Sequence, residues 1–472
     1  MSSLTEPARA VVPPYAWIVS RAATANNTGL FTSLALNRTG EPYIAFFDQT
    51  KGSIRVAHRT AGQWSTESVA FVGSWQGDTN IGIGLNESLF ISFVGADPHN
   101  LELANRGPTG WTITSVDAGY SEGYNRLAID GNGHPALAYT WANGWLRYAS
   151  WNGSVWNFET VDQTSVISRY IGLAIDPLAG PRISYYGNGQ MRYAHKEAGQ
   201  WHTEVVDVSP YAGWFSRLGL DSAGVPHLAY YDSVNESLRY AERINGTWSV
   251  STVDDRDDAG WDLSLAVDRS DRVHVAYYAR IRGELRYAIR TSAGWIHEVV
   301  DLGGVVGWYT GLATDAAGLP RVSYYDWTNG DLKYAEGTSA LAVRTRQPVL
   351  TATGSATLEG EVVSLGDYSS ARIRFAVRVA GLSEWNSIDL GTTTKAGPFT
   401  AIIGNLTSGQ TYEYRAEAQS ANETVLGDTI RFAVPVPGKP SSLNLLLVSG
   451  GAAAAVSGVA LTWFVIRRKK PR

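Results

Sequence analysis

One pattern recurs seven times along this chain and governs what it can fold into. The segments SLALN (33–37), GIGLN (82–86), RLAID (126–130), GLAID (172–176), RLGLD (217–221), SLAVD (264–268) and GLATD (311–315) alternate apolar with small or polar residues and end in Asp or Asn, at spacings of 44 to 49 residues. Each leads through a short turn, commonly D-x-x-G as in Asp221 to Gly224, into an aromatic-rich run such as PHLAYYD or PRVSYYD. A third run such as LRYA and a fourth such as WHTEVVD follow. Period-two alternation bounded by Gly, Asn and Asp is a strand signal. A fixed period of this size marks units that bury their faces only against neighbouring copies. Four short strands per unit predict an all-β chain built as a seven-bladed β-propeller.

The seventh copy is incomplete. Fourth-strand tryptophans stand at Trp64, Trp111, Trp156, Trp201, Trp248 and Trp295, but the segment DLKYAEGTSALAVRTRQ (331–347) has Ala342 at the matching place. Stepping back 47 residues from Trp64 reaches Trp17, which precedes Leu34 by the same 17 residues that separate Trp156 from Leu173 and Trp295 from Leu312. An unclosed array would leave apolar faces and strand edges in water. The strand around Trp17 is therefore expected to complete the seventh blade by pairing near Leu332 to Ala335. The competing reading gives that place to Ala340 to Thr345.

Charge and composition narrow the function classes. The chain has 472 residues, 17 Trp, 24 Tyr and no Cys, which excludes disulfides, thiolate metal sites and a Cys nucleophile. Net charge is −5, and because five of the last six residues are basic, residues 1–466 sum to −10. An acidic body argues against nucleic-acid binding, which leaves a basic footprint. No HExxH, P-loop or GxSxG occurs, and no metal site or cofactor is expected.

The runs LAxDxxGxPHxxYYD and LRYA with a following W-x-x-E-x-V-D resemble the blades of bacterial and archaeal surface propellers, loosely similar to BNR or sialidase-like propellers. A sialidase Asp-box is not matched, and the arginine triad and Tyr/Glu pair of that family find no counterparts, so the resemblance implies fold and no catalytic residue. Beyond the repeats, LTSGQTYEYRAEA (406–418) is similar to a fibronectin type III signature, with Tyr412 as the expected tyrosine-corner residue, while the lack of a Trp in the ATLEGEVV strand departs from that family and leaves an immunoglobulin-like sandwich open.

The organisation read from the sequence is a propeller over 15–346, a fibronectin III-like sandwich over 347–435, a linker over 436–442, a transmembrane helix over 443–466 and a basic tail over 467–472. Leu443–Ile466 holds 24 residues without a charge, enough at about 1.5 Å per residue to cross a hydrocarbon core of about 30 Å. The basic tail favours a cytoplasmic C-terminus and an external propeller on a single-pass cell-membrane protein. Small residues at Gly450, Ala454 and Gly458 suit close helix approach and a homodimer, or reflect a span merely rich in small residues. The first twenty residues do not read as a secretory signal. Sequons at Asn26, Asn37, Asn86, Asn152, Asn235, Asn245, Asn405 and Asn422 are glycosylation candidates that fit the external address.

For a site, the interblade loops carry a repeated aromatic. Trp214, Trp261 and Trp308 each follow a Gly, and Tyr170, Phe215 and Tyr309 lie three residues before the first-strand Leu. With Asp262 and Asp326 nearby, these are candidates for stacking on a sugar or a peptide around the channel mouth. The alternative reading makes the indoles wedges between blades. The acidic loop VDDRDDAGWD holds Asp254, Asp255, Asp257 and Asp258 in a pattern better suited to a solvated turn than to calcium, and His227 and His274 share one second-strand position that reads as structural. Pairs twelve apart, Arg55/Glu67, Arg147/Glu159, Arg192/Glu204 and Arg286/Glu298, are expected to be cross-strand ion pairs. Two functions follow as expectations: display of a propeller that binds carbohydrate or a surface glycoprotein, or a surface-anchored glycoside hydrolase or lyase with two carboxylates at the channel mouth.

Overall fold

A computed structural model describes residues 15–436 except 25–26, 75–76, 97–99, 119, 165–168, 293, 339–340, 351–353, 367 and 421–423. The proposed span, linker and tail lie outside the described residues, apart from residue 436. Among the described residues no helix is long and apolar enough to cross a membrane.

The chain divides into two units between Ala340 and Leu341. In the first, the described strands form seven four-stranded antiparallel sheets. Numbered by their first strands, these begin at Thr28–Leu36, Asn80–Ile83, Tyr120–Ile129, Arg169–Asp176, Ala212–Leu220, Ala259–Val267 and Val306–Thr314. The first strands of successive sheets adjoin, and that of sheet seven adjoins that of sheet one, so the arrangement is propeller-like. Sheet seven takes its outer strand from the other end of the unit. Ala16–Thr24 pairs antiparallel with Asp331–Thr338, placing Trp17 opposite Gly337 and Val19 opposite Ala335. The Trp17 indole donates a hydrogen bond of 2.7 Å to Glu298 of sheet six.

One repeat is shifted from its sequence reading. In sheet two Ile81 pairs with Ile91, as Leu34 pairs with Ile44 in sheet one, and the turn bond from Gly84 to Ser88 matches that from Asn37 to Glu41. The repeat therefore ends at Gly84, two residues before Asn86. GIGLN imitates the pattern because Gly-Ile-Gly and Ile-Gly-Ile both alternate.

The twelve-residue ion pairs do not form. A bulge at the start of each third strand sets Arg147 opposite Thr160 and leaves Glu159 opposite Tyr148, on the other face of the sheet; Arg55, Arg192 and Arg286 repeat the shift. A one-residue slip exchanges faces because side chains alternate with period two. The basic residues turn instead to the aspartates that close the preceding sheets: Arg147 to Asp117, Arg192 to Asp162, Arg239 to Asp207, Arg286 to Asp254 and Lys333 to Asp301, at 2.7 to 3.9 Å. The same aspartates accept hydrogen bonds of 2.6 to 2.8 Å from second-strand tyrosines of the following sheets, Tyr139, Tyr185, Tyr230, Tyr277 and Tyr324. The glutamates serve the outer rim, where Lys196 reaches Glu159 and Arg106 reaches Glu67.

The second unit is a two-sheet sandwich. Three strands, Leu341–Leu350, Ala356–Leu365 and Gly397–Ile403, face five whose centre is Ala371–Val379 beside Thr411–Gln419. Leu358, Phe375, Tyr414 and Ala416 are fully buried between them. The first strand takes residues 341–346, so the boundary falls before the point read from the sequence. Tyr412 receives the Thr407 N–H at 3.2 Å on its hydroxyl, tying the turn before its strand to the strand itself.

Candidate functional site

Each first strand of the propeller-like unit carries a Leu or Ile that pairs in register with the second strand: Leu34, Ile81, Leu127, Leu173, Leu218, Leu265 and Leu312. Three residues earlier stand Phe31, Asp78, Tyr124, Tyr170, Phe215, Asp262 and Tyr309. All seven line one cavity of about 200 Å³, together with Thr32, Thr79, Asn80, Arg126, Arg217 and Thr310. The cavity thus takes the same position from every sheet, which places it on the axis of the ring.

A local backbone feature aims these side chains inward. Phe31, Tyr170, Phe215, Asp262 and Tyr309 have φ between +47° and +56°, and a register shift follows or includes each of them. A bulge of this kind re-aims a side chain out of the strand. For residues with a Cβ the left-handed region costs about 1–2 kcal/mol apiece. Polar groups one residue later offset part of that cost by bonding the carbonyl of the preceding sheet: Thr32 donates to the Tyr309 carbonyl at 2.8 Å, Thr310 to that of Asp262 at 2.5 Å, and Asn125 to that of Asp78 at 2.9 Å. Ser216 does the same for the Tyr170 carbonyl.

Around the cavity the aromatic residues form two arcs. Tyr124, Tyr170 and Phe215 follow one another with ring centroids 5.5 and 4.9 Å apart, and Tyr309 lies 4.2 Å from Phe31. Asp262 separates the arcs on one side and Asp78 on the other. Burial pushes the Asp262 carboxyl up to about 6; Asp78 adds to the effect, while the Tyr309 N–H and Arg217 oppose it. Burial likewise raises Asp78, against the pull of Arg217 and Arg126. Burial and the neighbouring Arg217 lower Arg126 to about 9, which leaves it charged at neutral pH.

Of the residues singled out from the sequence, Tyr170, Phe215, Tyr309 and Asp262 come together here. The tryptophans sit one residue further out and wedge between sheets. Trp214 stacks on Tyr170, Trp261 lies 5.5 Å from Phe215 and 5.4 Å from Tyr231 while its N–H bonds Asp258, and Trp308 packs 5.6 Å from Tyr278 and 4.9 Å from Trp327. The glycine before each indole has φ between +106° and +119°, and a Cβ there would come within about 3.0 Å of the third-strand backbone of the preceding sheet. Asp326 is fully buried in its own turn, accepting from Asn329 and Lys333, away from the cavity lining.

The acidic loop is solvated in part: Asp255 is exposed and Asp257 half-buried, whereas Asp254 and Asp258 are buried. Asp254 is held by Arg256, Tyr277 and Arg286, and Asp258 by Tyr231, Trp261 and Arg280. Among the described residues no group of three or more His, Asp or Glu is arranged to hold a metal. His274 is buried between Tyr287 and Asp268, and His227 between Tyr240 and Asp221. Of the sequons, Asn86, Asn152, Asn235, Asn245 and Asn405 are exposed and Asn37 is half-buried in its turn, while Asn26 and Asn422 lie outside the described residues.

Sequence reading missed Phe31, Asp78, Tyr124, Arg126 and Arg217. The offset of three residues from the first-strand Leu finds Phe31 and Tyr124 directly, and it finds Asp78 once sheet two is counted from Ile81.

No family model and no curated protein matches this chain. Among solved structures, the fucose-specific lectin from Aleuria aurantia is 17% identical, with 60% of this chain and all of that one covered and a TM-score of 0.42. The polysaccharide lyase Uly1 is 9% identical over 65% of this chain and 89% of that one, with a TM-score of 0.45. A leech intramolecular trans-sialidase is 13% identical over 70% and 69%, with a TM-score of 0.35.

Proposed function

We propose that this chain is a membrane-anchored cell-surface protein whose seven-bladed propeller binds a saccharide in its axial cavity. The observation that carries the reading is the ring itself: five aromatic residues and two carboxylates, one from each sheet, converge on about 200 Å³. Aromatic faces cover the apolar side of a sugar ring, and a few fixed polar groups orient its hydroxyls. The left-handed conformation kept at five of the seven positions favours a ligand role, because packing alone does not require repeated backbone strain at a cavity wall.

In this reading the second unit is a fibronectin III-like stalk, Leu443–Ile466 spans the membrane with the basic tail in the cytoplasm, and the Gly450, Ala454 and Gly458 stripe supports a homodimer. Protease protection in sealed vesicles tests the external address: digestion of the propeller only from the cytoplasmic side would overturn it. A glycan array probed with the full chain in detergent tests the binding role. Retention of one saccharide class is expected, and retention of none contradicts it.

One observation favours hydrolysis as a second reading. Asp78 and Asp262 share the cavity, and a carboxyl raised to about 6 is suited to act as a general acid beside a second carboxylate. Release of reducing sugar from an array ligand, lost in Asp262→Asn, is the expected sign of that activity; no release by the wild-type chain would exclude it for that ligand.

A further inference from the structure

Elsewhere in the propeller-like unit, basic residues between sheets answer to carboxylates: Arg147, Arg192, Arg239, Arg286 and Lys333 each face an aspartate. Arg126 and Arg217 break this rule. Both line the axial cavity, and among the described residues neither forms an ion pair. Arg126 donates to the Asn80 side-chain oxygen at 2.5 Å, Arg217 donates to the Ser216 carbonyl at 2.9 Å, and the Arg217 Nε is buried with no acceptor.

The two aspartates in the cavity do not fill the role. The Asp78 carboxyl takes the Asn125 N–H and the Asp262 carboxyl the Tyr309 N–H, so each is turned to the backbone of the next sheet. Burial raises both carboxyls, and the arginines attract them across the cavity without touching them. What remains is two guanidiniums facing a small cavity with no carboxylate in direct contact and one buried Nε without an acceptor, and a buried charge that lacks a contacting partner is costly unless something supplies it. Planar guanidinium forks match oxyanions, which they bind through paired N–H donors.

We infer that the axial cavity binds an acidic saccharide, one whose carboxylate or sulfate group is held by Arg126 and Arg217 while its ring lies against the aromatic arcs. This rests on the saccharide-binding reading and names its ligand class. Tyr170 stands on the sheet between those of the two arginines, with Tyr124 on the strand of Arg126 and Phe215 on the strand of Arg217, so one sugar residue can meet both elements. Carboxylate and sulfate share the recognition chemistry and differ in source.

The experiment is a calorimetric titration of the full chain in detergent with three probes: an oligosaccharide of galacturonic acid, the same oligosaccharide with its carboxyls reduced, and a sulfated galactose oligosaccharide. At least one acidic probe should bind tenfold or more tighter than the reduced one, and which of the two does so identifies the anion. Arg126→Gln and Arg217→Gln should each abolish that preference, bringing the affinities for the acidic and the reduced probe to within about twofold of each other. Arg217→Lys should restore part of it, and provides a folded comparison where the glutamine variant does not melt cooperatively. Equal affinity for acidic and reduced probes would overturn the acidic inference and leave the saccharide reading standing. Binding of none of the three would overturn both.

Discussion

The indole N–H of Trp17 lies 2.7 Å from the Glu298 carboxylate, 281 residues along the chain, and the Tyr15 N–H reaches the other carboxylate oxygen at 3.1 Å. The Trp17 ring also meets Tyr287 edge-on at 5.2 Å. The N-terminal strand therefore joins sheet seven to sheet six as well as completing sheet seven. Trp17→Ala should cost about 3 kcal/mol, the lower end for a tryptophan because the ring is half-buried. Thermal unfolding checks it; a loss within about 0.5 kcal/mol, as for an ordinary surface site, would mean the ring closes without this strand.

The corrected ion pairing has a direct energetic test. A double-mutant cycle on Arg147 and Asp117, which lie 2.7 Å apart with Tyr139 on the same carboxylate, should give a coupling of about 1–3 kcal/mol. The cycle on Arg147 and Glu159, which face opposite sides of their sheet, should give a coupling near zero. The reverse pattern would restore the pairing expected from sequence spacing.

Trp261 separates packing from binding. Its ring lies between Phe215, Tyr231 and the Arg280 guanidinium, and its N–H is bonded to Asp258. Trp261→Ala is expected to lower the melting temperature by several degrees, an effect about the size of other buried aromatic truncations. An unchanged melting temperature with lost ligand capture would return the indole to the binding surface.

Stability should carry the signature of Asp262. Its carboxyl is raised to about 6 when folded, above the ordinary aspartate value near 4. Between those values the folded chain holds a proton that the unfolded chain has released, so this group stabilises the fold below about pH 4, and that contribution is lost as pH rises through about 6. Asp262→Asn should accordingly melt higher than the wild type at pH 7.5, with the difference shrinking as pH falls through about 6 and disappearing below about pH 4. A difference that does not change with pH would show that Asp262 is not raised. Comparing the two chains cancels carboxylates such as Asp268 and Asp301, which hydrogen-bond partners hold below their usual range.

Much of the first unit was legible because its period is carried by side chains that must alternate. The interval from Trp17 to Leu34 identified the closing strand, since a fourth-strand tryptophan has one place in the repeat. Tyr170, Phe215 and Tyr309 were legible as candidates by their common offset, and Asp262 as a carboxylate beside them. What hid Asp78 was local: Gly82-Ile83-Gly84 permits two registers that differ by two residues, and alternation of period two cannot tell them apart. The ion pairs failed for a related reason, because a bulge adds one residue to a strand without any mark in the spacing. Arg126 and Arg217 were illegible because their significance lies in the lack of a carboxylate partner, which only three-dimensional neighbours reveal.

Binding at the axial ring is tested by comparing saccharide affinity in three full-length chains: wild type, Tyr170→Ala with Tyr309→Ala, and Trp327→Ala. Tyr170 and Tyr309 line the cavity on opposite arcs, whereas Trp327 is 54% exposed and outside it. The expected result is a loss of at least tenfold in the double variant, with cooperative melting retained, and wild-type affinity in Trp327→Ala. Wild-type affinity in the double variant, with binding lost on removing Trp327, would contradict the claim and move the ligand to the outer surface.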